Sequence, residues 1–165
     1  MILRAMRFIG ALAILAVGAV HLQQYVGEDY SAIPTIGTLF LLNAIGSAVI
    51  GIGLLAPIKR VAASHRADAA IGLLALGAVA IALGSLVALF ISESGGLFGF
   101  SESGYRAAIV VAIVAEAATI ALLVPVGVLN LAHVVSRRRR TASQRRSGAA
   151  SRLDYGAAKQ SSSRR

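Results

Sequence analysis

The chain has 165 residues, 57% of them hydrophobic and 14% charged, with a formal net charge of +9 and no cysteine. A water-soluble domain carries about 25% charged and about 45–50% apolar residues, so this composition points to lipid as the solvent. The missing cysteine excludes disulfides, thiol redox chemistry and thiolate metal sites. The positive charge flanks apolar stretches and does not alternate with aromatic residues, which argues against nucleic acid as a partner.

Four apolar stretches stand at about residues 8–27, 35–57, 69–91 and 107–132. Each has the roughly 20 residues an α-helix needs to cross a ~30 Å hydrocarbon layer. The first follows Arg4 and Arg7, contains Gly10 and Gly18, and ends on His21, Gln23, Gln24 and Tyr25. Its basic start and the small residues Ala16-Val17-Gly18 also fit a cleaved signal peptide, which would leave three spans. The apolar run continues to Val26, long for such a leader.

An acidic turn with Glu28 and Asp29 leads through Tyr30 to Pro34, which suits the first turn of the second helix. The second stretch holds Ser47 and Gly51 at i, i+4 spacing, and the third holds Ala80, Gly84 and Ala88. Rows of small residues let helix backbones approach in lipid, where packing replaces the hydrophobic effect as the driving force. Lys59, Arg60, His65 and Arg66 fill the second connection. The third is rich in Gly and Ser and carries Leu97, Phe98 and Phe100, readable as an interfacial anchor or as a binding loop. Residues 134–165 hold ten of the sixteen Lys and Arg among Ser, Gly, Ala and Gln, a composition that predicts disorder.

With four alternating spans, nearly all the flanking arginines fall on one side, and Glu28, Asp29, Glu93 and Glu102 on the other with Arg106. The positive-inside rule then places both termini in the cytoplasm. The expected fold is all-α: an antiparallel four-helix transmembrane bundle over residues 1–133, followed by a disordered basic cytoplasmic tail over 134–165. Arg137, Arg138, Arg139 and Arg140 are expected to contact anionic lipid headgroups at that face.

Polar residues inside a span are costly and invite a functional reading. His21 and Gln24, with Tyr25, share one face of the first helix. Asn43, Ser85 and Glu116 lie at comparable depths on the other three, and Thr119 shares a face with Glu116. Two readings stay open for these ligand-binding or proton-carrying candidates. One is a polar pocket open to the outside; the other is a hydrogen-bonded clamp between helices. Glu116 is expected to face the interior, bonded to a side chain of the first or second helix, and in the bolder form to His21.

A bis-histidine haem needs two histidines at one depth, and His21, His65 and His133 are not so placed. Zinc wants three or four converging ligands. No phosphate-binding glycine loop or nucleophile elbow occurs. No cofactor, metal or catalytic residue is therefore expected. The leading expectation is a non-enzymatic accessory or scaffold protein, whose partners are lipid, other membrane proteins or a second copy of itself. The alternative is a small transporter or ligand-binding bundle.

The run His21-Leu22, Tyr25, and Tyr30-Ser31-Ala32-Ile33-Pro34-Thr35-Ile36-Gly37-Thr38-Leu39-Phe40-Leu41-Leu42-Asn43 resembles a pattern in small, uncharacterised four-helix membrane proteins of actinobacteria. It covers the first hairpin, about a quarter of the chain. The resemblance implies a bacterial plasma-membrane protein with four spans and draws His21, Tyr25, Tyr30, Pro34 and Asn43 into one neighbourhood. It implies no activity.

Overall fold

The computed structural model describes residues 1–28, 30–58, 64–96 and 107–162. Side chains are described there except for Pro34, Ser64, His65, Arg138 and those beyond Arg140. Asp29, Lys59, Arg60, Glu102, Arg106 and the apolar loop residues Leu97, Phe98 and Phe100 lie outside the described residues.

Among the described residues the chain is helical and has no strand. Helix α1 is Ile2–Gly27, a 3-10 turn spans Tyr30–Ala32, α2 is Pro34–Leu55, α3 is Ser64–Gly95 and α4 is Ala107–Ser162. All four long helices contain a segment apolar and long enough to cross a membrane: Ile2–Gly27, Thr35–Leu55, Arg66–Gly95 and Ala107–Arg137. Helix α1 starts earlier than the apolar run because Ile2, Leu3, Ala5 and Met6 are all able to continue it. Helix α2 stops at Leu55 because Pro57 follows and biases Ala56 to an extended conformation, seen in its ψ of 146°.

Compactness divides the chain into Met1–Leu131 and Ala132–Arg165. The second unit is helical through Ser162, where the composition had predicted disorder. Its Ala, Arg, Gln and Leu residues favour helix, and no proline occurs after Pro125.

Within the first unit the helices meet through small residues. Gly18 of α1 lies on Ser47 and the Ala44 carbonyl of α2, and Gly51 of α2 lies on Leu15 and the Ala11 carbonyl of α1. Gly46, Ile50 and Gly53 of α2 meet Ile81, Gly77 and Leu74 of α3 respectively. Gly72 and Leu76 of α3 meet Leu131 and Gly127 of α4, and Gly10 of α1 takes the side chain of Leu123 on α4. Ala11, Ile14, Val17, Leu54, Ile71, Ala75, Ala78, Leu123 and Val126 form the buried apolar centre. Ile9, Leu12, Leu42, Ile45, Val49, Ile52, Phe90 and Val114 point outward, as expected for helices whose outer faces meet lipid tails.

One glycine sets the shape of the α1–α2 connection. A methyl on Gly37 would stand 2.6 Å from the Tyr30 carbonyl oxygen and 3.0 Å from the Ser31 Cα. The bare Gly37 backbone thus lets the 3-10 turn fold back over the start of α2 and places Tyr30 in the interior, 6% exposed.

The contact at Gly18 allows a direct test. A methyl there would meet Ser47 Cβ at 2.8 Å and the Ala44 carbonyl at 3.2 Å, whereas Gly84 has nothing within 4 Å. Gly18→Val is expected to destabilise the protein by about 1–3 kcal/mol through overpacking. Gly84→Ala is expected to be neutral or to stabilise by up to about 1 kcal/mol through helix propensity. Unfolding in mixed micelles of increasing denaturing-detergent fraction, followed by circular dichroism, checks both.

Candidate functional site

Three polar side chains from three helices converge in the first unit. His21 is buried on α1, and its Nδ1 lies 2.9 Å from the Val17 carbonyl one turn back. A carbonyl only accepts, so Nδ1 carries the proton and donates. The other ring nitrogen, Nε2, lies 3.0 Å from the Ser85 hydroxyl of α3. With Nδ1 donating, Nε2 of a neutral imidazole is an acceptor, and the Ser85 hydroxyl donates to it. Ser85 is also the hydrogen-bond partner of the Glu116 carboxyl on α4. Glu116 itself is 1% exposed, and its Oε1 atom has no hydrogen-bond partner.

The result is a line His21–Ser85–Glu116 that holds one proton at either end. In one state the imidazole is neutral and the carboxylic acid donates to Ser85 Oγ. In the other the imidazolium donates to Ser85, which donates to the carboxylate. The two states have the same net charge, which keeps an unpaired ion out of a medium where it is costly.

This line forms part of the wall of a cavity of about 430 Å³. Gln24, Asn43 and Ser92 add polar groups, and Val20, Ile36, Leu39, Phe40, Ile81, Ala88, Leu89, Ile109 and Ala112 make most of the wall apolar. Phe40 stacks on Tyr30 at 4.8 Å between centroids and meets the His21 ring, tilted, at 5.0 Å. The volume is in the ~300–1,000 Å³ range of small-molecule sites, and so is the mixture of apolar wall and few convergent polar groups.

The structure brings together His21, Gln24, Asn43, Ser85 and Glu116 on the cavity wall. Asn43 Oδ1 accepts from the Ser47 hydroxyl at 3.1 Å on its own helix. The other candidates stand apart. Tyr25 is half-buried but not on the wall. Thr119 is fully buried, and its hydroxyl donates to the Ala115 carbonyl at 2.8 Å within α4. Arg137, Arg139 and Arg140 are exposed on α4.

Glu116 is interior, as its charge requires, but its partner is on neither the first nor the second helix. Ser85 of the third takes that place, and the link to His21 passes through its hydroxyl. Three wall residues were not signalled as candidates by depth. Tyr30 and Phe40 look like ordinary aromatics until the Gly37 turn stacks them, and Ser92 sits in the last turn of α3. The row Ala80, Gly84 and Ala88, read as a helix contact, lines the cavity instead. Small residues leave space for whatever lies opposite, and here that is the opening itself.

Among the described residues, no cluster of three or more His, Asp or Glu is placed to hold a metal ion. Comparison with protein-family models, curated proteins and solved structures finds no match to this chain.

Ser85 is the joint of the line, so Ser85→Ala strips the bridge from two buried groups. The expected cost is about 1–2 kcal/mol, the scale of interhelical hydrogen bonds in membranes. Thr119→Val removes a hydroxyl that serves only its own helix and is expected to cost less than about 1 kcal/mol. The same detergent-unfolding measurement separates them.

Proposed function

We propose that this protein is a ligand-binding membrane protein, an antiparallel four-helix bundle in a bacterial plasma membrane, non-enzymatic, whose cavity takes one small amphiphile. The observation that carries the reading is the cavity of about 430 Å³ with largely apolar walls and the His21–Ser85–Glu116 line among its lining residues. Such a site holds the apolar body of a ligand against Ile36, Leu39, Phe40 and Ile109 and its polar end against the line. The antiparallel order is supported by the pairings between neighbouring helices, where partner numbers fall along one helix as they rise along the other.

Charge supports an orientation with both termini in the cytoplasm and the cavity towards the outside. Reporter fusions after Tyr30, Ala62, Phe98 and Arg140 test it. External signals are expected at Tyr30 and Phe98, and cytoplasmic ones at Ala62 and Arg140. The reverse pattern defeats the outward-facing cavity.

A second reading, an accessory or scaffold protein held against anionic lipid, is favoured by the exposed Arg137, Arg139 and Arg140 at the end of the fourth apolar segment. The two are separated by an uncharged probe, 1-naphthylmethanol, titrated against the protein in nanodiscs of zwitterionic phosphatidylcholine. Ligand binding predicts saturable fluorescence change in the wild type and at least a tenfold loss in Gly84→Leu. That substitution adds bulk at a lining position where a Cβ meets nothing within 4 Å. Equal signals from the two proteins favour the scaffold.

A further inference from the structure

We infer that the cavity selects a hydrophobic amine in its ammonium form, with its N–H groups directed at Glu116. The inference rests on the ligand-binding reading and names the chemical class of the ligand.

The unpartnered oxygen decides the class. Glu116 is 1% exposed, lines the cavity and leaves Oε1 without a partner. Its bond to Ser85 therefore uses the other carboxyl oxygen. When the carboxyl is protonated, that second oxygen carries the proton towards Ser85, and Oε1 is a carbonyl oxygen. When the carboxyl is ionised, Oε1 is a carboxylate oxygen. In both states it accepts and does not donate. The group that completes it is a donor, which disfavours a quinone, an ester or an ether, whose polar atoms only accept.

Charge distinguishes an ammonium from an alcohol. A carboxylate buried in an apolar wall is stabilised most by a hydrogen-bonded cation. The aromatic pair Tyr30 and Phe40 adds π-faces to the wall, which attract a cation more strongly than a neutral hydroxyl.

The test compares 1-naphthylmethylamine with 1-naphthylmethanol, which share a ring and differ in the charged donor. Binding is followed by naphthalene fluorescence at pH 7 in the same zwitterionic nanodiscs. The wild type is expected to bind the amine at least tenfold more tightly than the alcohol. Glu116→Gln is expected to bring the two within about twofold, with its helix content and unfolding midpoint measured alongside. Gly84→Leu is expected to abolish both. Equal wild-type affinity for the two probes overturns the ammonium assignment and leaves the cavity reading standing, and this comparison needs no variant to fold. A preference retained in a folded Glu116→Gln protein also overturns it. Absence of saturable binding by either probe to the wild type overturns the cavity reading and this inference with it.

Discussion

Within hydrocarbon there is no water to take up a hydrogen-bonding group that its neighbours leave unpaired, and every polar side chain in the spans is placed under that constraint. Most meet it locally. Thr119 donates to Ala115, Asn130 to Val126 and Ser47 to Asn43, each one turn back on its own helix. His21 does the same with Nδ1 and Val17. The far side of the imidazole and one oxygen of the Glu116 carboxyl are met across helices: Ser85 on α3 answers both, so a single hydroxyl links α1, α3 and α4, while Glu116 Oε1 and Arg7 Nε are left without a partner.

That link works because the apolar contacts bring the backbones near enough. In lipid the outward-facing Ile, Leu and Val gain nothing by meeting one another, and association depends on close packing. Gly10, Gly18 and Gly51 around α1, and Gly72 with Gly127 between α3 and α4, provide it. At the level of Gly84 the close packing stops, and the helices part to leave the cavity. The same chain thus packs tightly at one level and leaves a chamber at another, using one residue type for both.

The spans were legible because twenty-residue apolar runs have little other use, and their limits were set by Pro57 and by helix-forming flanks that composition alone weighs poorly. Ser85, His21, Asn43 and Glu116 were legible as a group because depth along a helix follows from residue count. Their connections were not. Depth says nothing about rotation around the bundle axis, so it does not single out α3 as the helix that carries the partner of Glu116. The cavity was hidden for a related reason: a small residue marks either contact or space, and the row at Ala80, Gly84 and Ala88 reads the same in both cases. In residues 134–162 a polar composition and a helix propensity point in different directions, and the structure is helical there.

The line His21–Ser85–Glu116 joins three helices through a single hydroxyl. One O–H has one proton to donate, so Ser85 can donate to the imidazole or to the carboxyl but not to both at once. Whichever end receives that proton, the other end must supply one to the Ser85 oxygen. The rotation of one O–H bond therefore ties the protonation of α1 to that of α4.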